Sequence, residues 1–256
     1  MKFHVPIALL LACLGAGAAA PVVAAPACVA RSGEHRAVLL ELYTSEGCDS
    51  CPPADRRLSQ WKAQAGFVAG RLVPLAFHVD YWDRLGWADR FANPQYTQRQ
   101  YEMAGLARSR SVYTPQFLRN GRDWRGAASP LDGVGELPAG AAIALELGSA
   151  NGGQLMVSGA ITGARAGAEA WLALYENNLE SVVLAGENGG KVLRHDYVVR
   201  RLIGPLQPDA DGRLALRQQI VLEPGWKRAD LGVAAFVQDR GNGEILQAVQ
   251  RHACSS

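Results

Sequence analysis

The first half of the chain alternates apolar runs of strand length with segments whose apolar residues have helical spacing. This pattern predicts three strands and two helices, the strands over residues 37–43, 71–79 and 116–121 and the helices over residues 53–65 and 93–107. Asn93 is the predicted N-cap of the second helix, with Pro94 in its first position. Strands and helices in this order predict an α/β layer with crossover helices.

From residue 141 onwards the pattern changes to short apolar runs separated by clusters of glycine, asparagine and proline. Seven runs predict strands, over residues 143–147, 154–161, 170–175, 192–203, 214–222, 231–238 and 244–250. Short strands at this spacing favour an antiparallel sandwich. Residues 194–197, together with Arg200 and Arg201, are interpreted as a solvated strand face, the alternative being a binding patch.

This change divides the predicted chain into four parts. They are a signal peptide (1–27), an α/β domain (28–130), a linker (131–140) and an all-β, antiparallel, sandwich-like domain (141–256). Residues 5–27 carry no charge, and Ala-Pro-Ala at 25–27 fits signal-peptide cleavage. The alternatives are a lipoprotein anchored at Cys13 and a retained membrane anchor. We expect a periplasmic or secreted protein whose mature form does not span a membrane.

Composition and charge exclude several classes of protein. The sequence has 26 Lys and Arg against 24 Asp and Glu, and this near-balance gives no support for nucleic-acid binding. Hydrophobic residues make up 48% and charged residues 20%, which is typical of an ordered globular chain.

Export changes the interpretation of the cysteines, because disulfides persist in oxidising compartments. Of the five cysteines, Cys13 falls in the predicted leader, which leaves an even number in the mature chain. Cys48 and Cys51 are close enough in sequence to form their own pair. Cys28 and Cys254 would then form a structural disulfide between the two ends, the alternative being unpaired cysteines in flexible tails.

The chemistry centres on the Cys48-x-x-Cys51 motif, which lies where a predicted strand ends and a predicted helix begins. Amides at a helix N-terminus lack internal partners and would stabilise a thiolate on an exposed Cys48, the predicted attacking thiol. Cys51 would be shielded and would resolve a mixed disulfide. The carboxylates of Glu46 and Asp49 oppose that thiolate, which indicates a moderate or reducing poise.

Two motifs resemble the thioredoxin superfamily: E-L-Y-T-S-E-G-C-D-S-C-P-P at 41–53 and V-Y-T-P-Q at 112–116. Together with residues 77–87, they resemble a secreted bacterial thioredoxin-like family of unknown function. The resemblance implies an α/β thioredoxin-like domain ahead of the sandwich-like one. It also implies that Thr114 and Pro115 form a cis-proline loop facing the cysteines, the alternative being an ordinary trans proline in a turn.

His78 follows the second strand, near the end where the cysteines are expected. It is interpreted as a packed strand-end residue with a satisfied hydrogen bond, as a group that tunes the cysteine pair, or as a metal ligand. In the last case Cys48, Cys51 and His78 would bind copper(I) or zinc. No cofactor motif was found in the sequence.

Two function classes follow. The first is an exported thiol–disulfide oxidoreductase that acts on protein thiols or disulfides of the cell envelope. The second is a binding or carrier module, either a copper(I) chaperone or an envelope assembly factor, with a structural Cys48–Cys51 disulfide. The reduction potential of that disulfide separates them, because structural disulfides lie below about −300 mV.

Overall fold

The protein is described by a computed structural model over residues 1–2, 28–63, 70–126, 129–148 and 152–254. Nearly all of the predicted signal peptide, including Cys13, lies outside these residues. Within them, no helix is long and apolar enough to cross a membrane.

The described residues form fourteen strands and two α-helices. The helices are α1 (Pro52–Ala63) and α2 (Pro94–Leu106). The first seven strands are β1 (Cys28–Arg31), β2 (Val38–Thr44), β3 (Leu72–His78), β4 (Gln116–Arg119), β5 (Arg122–Asp123), β6 (Ala142–Leu147) and β7 (Gln154–Thr162). The others are β8 (Ala168–Glu176), β9 (Leu179–Val182), β10 (Val192–His195), β11 (Val198–Leu206), β12 (Leu214–Val221), β13 (Leu231–Asp239) and β14 (Ile245–His252).

Eight of these strands form one mixed sheet in the order β14-β13-β8-β11-β3-β2-β4-β5. β2 and β3 pair in parallel, as a strand–helix–strand crossover requires, and β4 pairs antiparallel to β2. β11 lies in parallel beside β3, with Val198 opposite Ala76, and continues antiparallel to β8. A four-stranded sheet (β1-β6-β7-β12) and the two-stranded β9–β10 hairpin complete the architecture.

The predicted fold class, an α/β thioredoxin-like domain followed by an all-β antiparallel sandwich-like domain, is wrong. Among the described residues, strands far outnumber helices, and strands from both predicted parts belong to the same eight-stranded sheet. The physical reason is the pairing of β3 with β11, because this carries the parallel sheet of the first half into the antiparallel strands of the second. The predicted linker at residues 131–140 stays a prediction.

β8 shows why the sequence pattern was misleading. Trp171 and Tyr175 face a hydrophobic core that also contains β2, β3 and both helices. Leu172 and Leu174 face a second core, shared with the four-stranded sheet. A strand buried on both faces has a continuous apolar sequence, and such a sequence does not reveal which sheet the strand joins.

Local predictions were more accurate than the fold class. Asn93 caps α2 as predicted: its side chain accepts a hydrogen bond of 2.9 Å from the Gln95 amide. The predicted strand at residues 192–203 is instead two strands, β10 and β11, separated at Tyr197, whose φ is 59°. The pattern also missed β9, which pairs with β10 so that Val182 lies opposite Val192.

Candidate functional site

Cys48 and Cys51 form a disulfide in the loop between β2 and α1, with their Cα atoms 5.4 Å apart. The Cys48 amide donates to the Ser45 carbonyl and the Cys51 amide to the Cys48 carbonyl, both over 3.2 Å. The Cys51 carbonyl in turn accepts from the amides of Ala54 and Asp55 in the first turn of α1. The disulfide therefore lies directly before the helix, as the sequence predicted.

This helix end has fewer free amides than its sequence pattern predicts. Pro52 and Pro53 occupy the first two helical positions and have no N–H group to donate. The Ser50 hydroxyl, 3.4 Å from the Cys48 sulfur, is a hydrogen-bond donor within reach of that sulfur. Stabilisation of a Cys48 thiolate would therefore depend less on helix amides than was expected.

The predicted exposure of Cys48 is wrong, because neither Cys48 nor Cys51 has any exposed surface. The turn of the β9–β10 hairpin is hydrogen-bonded to the loop that carries them. The Asn188 amide group donates to the carbonyls of Glu46 and Cys48, each over 2.8 Å. The Asp49 amide donates to the Glu187 carboxylate over 3.1 Å. A segment from the second half of the chain thus encloses a motif from the first.

The Thr114–Pro115 bond is cis, as the resemblance implied. Trp82 links this proline loop to the cysteine loop. Its indole N–H donates to the Thr114 hydroxyl over 2.7 Å, and its Cβ lies against Gly47, where an added Cβ would be only 3.2 Å away. Participation of Thr114 and Pro115 in substrate binding stays a prediction.

A groove of about 450 Å³ lies beside the proline loop. Aromatic and cationic side chains line it together with the proline, namely Arg57, Tyr113, Pro115, Phe117, Trp124 and Arg125. The Arg57 guanidinium lies 5.0 Å from the Trp124 ring, and the Arg125 guanidinium lies 5.1 Å from the Tyr113 ring. Cation–π pairs of this kind leave apolar ring area and positive charge at one surface.

Buried ionisable residues lie close to the disulfide. His78 Nδ1 is 2.6 Å from Asp89 Oδ2, and neither side chain is exposed. His195 Nε2 is 3.5 Å from Glu46 Oε1, and its Nδ1 is 3.7 Å from Asp55 Oδ2. The two histidine rings are in edge contact, with centroids 5.0 Å apart. The cluster therefore joins residues before and after the Cys48-x-x-Cys51 motif to the β9–β10 hairpin.

The pKa values of the cluster follow from burial and pairing. Burial alone lowers the pKa of His78, but the Asp89 carboxylate outweighs it and the pKa of His78 is raised. Burial raises the pKa of Asp89, but His78 reverses this and the pKa of Asp89 is lowered. Burial raises the pKa of Glu46 most strongly, but the contacts with His195, Ser181 and Trp87 together outweigh it and the pKa of Glu46 is lowered. For Asp55, burial prevails and the pKa is raised.

His78 agrees with its interpretation as a packed strand-end residue with a hydrogen bond. For the alternative metal set of Cys48, Cys51 and His78, the part of the chain that the structure describes shows no group of three or more His, Cys, Asp or Glu able to hold a metal ion. Asp89 and His195 were missed as site residues. His195 was placed on a solvated face, but alternation along β10 turns it inward while Arg194 stays exposed.

The second disulfide joins Cys28 to Cys254, with Cα atoms 5.8 Å apart, and confirms the predicted pairing. Cys28 begins β1, where it lies opposite Leu147 of β6. Cys254 follows β14 and is exposed. This bond therefore attaches the end of the eight-stranded sheet to the four-stranded sheet.

The molecule is thus a β-rich protein with a covered Cys-x-x-Cys disulfide at a helix N-terminus. The chain belongs to the family described as "Protein of unknown function (DUF1223)", which matches it over residues 39–238. No curated protein matches it.

Two solved structures are similar to this fold. Protein AGR_C_4864 from Agrobacterium tumefaciens is 23% identical, with a TM-score of 0.56 over 88% of this chain and 98% of that one. HBP35 of Porphyromonas gingivalis is 18% identical, with a TM-score of 0.64 over 86% of this chain and 76% of that one. At these identities the likeness concerns the fold alone.

Proposed function

We propose that this protein is an exported thiol–disulfide oxidoreductase, with Cys48 and Cys51 as its redox pair and Thr114–Pro115 as its substrate-binding loop. The observation that carries the proposal is the Cys48–Cys51 disulfide before α1, joined through Trp82 to the Thr114–Pro115 loop. The resemblance to the thioredoxin superfamily supports this at the level of the two motifs and not of the whole fold.

The proposed substrates are protein thiols or disulfides of the cell envelope, and the proposed location is the periplasm or the medium. Two disulfides are compatible with an oxidising compartment. The groove beside Pro115 would hold the substrate chain, because it combines exposed ring surface with two guanidinium groups.

In the oxidising direction, a substrate thiolate attacks the Cys48 sulfur. The Cys48–Cys51 bond breaks, and its electron pair goes to the Cys51 sulfur as a thiolate. A second substrate thiolate then attacks the substrate sulfur of the mixed disulfide and releases Cys48 as a thiolate. The substrate dithiol loses two electrons and the protein gains two, so the reverse sequence reduces a substrate disulfide.

The charges around the pair favour a moderate or reducing poise over strong oxidation. The pKa of Glu46 is lowered, because its contacts with His195, Ser181 and Trp87 together outweigh burial, so its carboxylate stays ionised close to Cys48. Asp49 adds a second carboxylate between the cysteines. Negative charge disfavours a thiolate, and a strong oxidant requires a stabilised reduced form.

The test is covalent trapping with Cys51→Ser, which leaves Cys48 without its resolving partner. We expect envelope proteins to stay disulfide-linked to Cys48 and to be released by dithiothreitol. Cys254→Ser is the matched control, since it frees one thiol of the other disulfide without a proposed redox role. Trapping by Cys51→Ser no greater than that by Cys254→Ser would contradict the proposal.

The second candidate function is a binding or carrier module whose Cys48–Cys51 disulfide is structural. The complete burial of both cysteines favours it, since a buried bond is shielded from attack. A reduction potential below about −300 mV, with no exchange with protein thiols, would support this candidate over the first.

A further inference from the structure

We infer that the β9–β10 hairpin (residues 179–195) is a lid over the Cys48–Cys51 disulfide, with Asn188 as its latch. The inference rests on the proposed function, because a lid matters only if the disulfide reacts. Asn188 is then a positioning residue, which controls access to the Cys48 sulfur without touching the substrate.

Hydrogen bonds of the Asn188 side chain fasten the hairpin to the cysteine loop. Its side chain is completely buried, and its amide nitrogen donates to two carbonyls of the cysteine loop, those of Glu46 and Cys48. Its amide oxygen accepts from the Lys191 ammonium over 2.8 Å, which fixes the orientation of the amide. An asparagine supplies both the donor and the acceptor that this position needs.

Other contacts fasten the same hairpin to the same loop. The Glu187 carboxylate accepts from the Asp49 amide, between the two cysteines. Gly186 packs on Trp87, so that an added Cβ would be 3.1 Å from the Trp87 Cβ, and the Trp87 indole donates to Glu46 over 2.8 Å. These contacts are mostly polar, and polar contacts exchange readily for bonds to water when a segment opens.

The hairpin is built as a separable element. Within the described ranges, its strands pair only with each other, in a sheet distinct from the eight-stranded one. A two-stranded ribbon is marginally stable alone, so contacts with the cysteine loop, with α1 and with Arg90 must hold it in place. Residues with positive φ stand at both ends, Asn178 at 53° and Tyr197 at 59°. Non-glycine residues seldom adopt this conformation, and it marks the two points where the chain turns into and out of the lid.

Closing this lid has a direct chemical consequence. Attack on a disulfide requires a thiolate to approach the sulfur along the S–S axis, and Cys48 has no exposed surface while Asn188 is in place. The disulfide is therefore reduced only in the conformation in which the lid is open, and the reduction rate depends on how often the lid opens. A substrate that displaces the hairpin would be oxidised or reduced faster than a small thiol.

The test compares Asn188→Ala with the unmodified protein during reduction of the full chain by dithiothreitol. Each disulfide is followed separately by alkylation and mass spectrometry. Loss of two hydrogen bonds of ordinary strength should raise the reduction rate of Cys48–Cys51 about thirtyfold. Reoxidation by glutathione disulfide should accelerate by a similar factor, because a lid changes access in both directions. The rate for Cys28–Cys254 should stay unchanged.

Asn242→Ala is the matched control, since Asn242 lies in the β13–β14 turn and its side chain bonds to Glu244 within that turn. It should leave the Cys48–Cys51 rate unchanged. Equal rates in Asn188→Ala and the unmodified protein would overturn the lid. Equal acceleration of both disulfides would also overturn it, since this would indicate general unfolding.

A measurement on the unmodified protein covers the case in which Asn188→Ala does not fold. The amides of Val183 and Gly190 bond across the hairpin and should exchange hydrogen faster than those of β8. Equal protection would overturn the inference. The proposed function is tested independently: accelerated reduction in Asn188→Ala without trapping in Cys51→Ser would support the lid and contradict the oxidoreductase.

Discussion

The two disulfides of this protein differ in what they can contribute. Cys28–Cys254 spans 226 residues of sequence, whereas Cys48–Cys51 spans 3. The chain-entropy relation gives about 5 kcal/mol of stabilisation for the long closure and about 2 kcal/mol for the short one. Its contribution to stability is sufficient to explain the Cys28–Cys254 disulfide. The small contribution of the Cys48–Cys51 disulfide does not explain its position, which requires a role other than stabilisation.

The surroundings of the two disulfides also differ, since one is partly exposed and the other is buried among ionisable side chains. Cys254 is exposed, and its bond connects two sheets at the end of the described chain. Cys48–Cys51 is enclosed together with buried carboxylates and histidines, which are costly to remove from water unless they are paired. A sequence that keeps ionisable groups around a short disulfide gives up stability there, which is characteristic of functional sites.

The largest expected effect comes from removing each disulfide in turn. Replacing Cys28 and Cys254 by alanine should lower the free energy of unfolding by about 4 kcal/mol, because the unfolded chain regains the entropy of a long loop. Replacing Cys48 and Cys51 by alanine should cost about 2 kcal/mol or less. Urea denaturation of both double variants measures the difference. Equal losses would contradict the contrast between the two bonds.

The second largest expected effect is a loss of stability when the buried ionisable cluster beside Cys48–Cys51 loses a charge. Asp89→Asn removes the partner of the buried His78 and an acceptor for the Glu46 amide, so it should cost about 3 kcal/mol near neutral pH. The exposed Asp211→Asn is the matched control and should have little effect.

The pH dependence of that cost follows from the two shifts. The raised pKa of His78 means that its contribution is complete below its unfolded value of about 6.5 and is lost as the pH rises through the folded value. The lowered pKa of Asp89 means that its contribution is complete above about 3.9 and is lost as the pH falls through the folded value. The cost of Asp89→Asn should therefore be greatest between about pH 4 and 6.5, and a cost that is flat with pH would contradict the ion pair.

Sequence reasoning succeeded where the signal is local. The Asn93 cap, the boundaries of α2 and the position of Cys48 and Cys51 before a helix depend on neighbouring residues. The pairing of β3 with β11 does not, since Val198 lies more than a hundred residues from Ala76 in the chain. An apolar strand specifies burial but not its partner, and for this reason the fold class was wrong.

As for the fold, the local features of the site were predictable from the sequence and the contacts between distant segments were not. The two cysteines and the cis Thr114–Pro115 bond were found from motifs. The cover over the cysteines was not, because Asn188 belongs to a glycine-rich turn with no pattern that points to a distant loop. Strand alternation offered one signal that was not used, since it places His195 on the face opposite to Arg194.

The smallest expected effect concerns the charge between the cysteines. Asp49→Asn removes an exposed carboxylate close to Cys48, so in the reduced protein the Cys48 thiolate should form more readily. Because solvent screens an exposed charge, we expect only a two- to threefold rise in the alkylation rate of Cys48, and a disulfide that is slightly easier to reduce. Mass spectrometry of the reduced protein follows each cysteine, with Asp211→Asn as the control. If Cys51 is alkylated first, Cys48 is not the attacking thiol. The proposal that Cys48–Cys51 is the reactive disulfide, in contrast to the stabilising Cys28–Cys254, would then lose its chemical support.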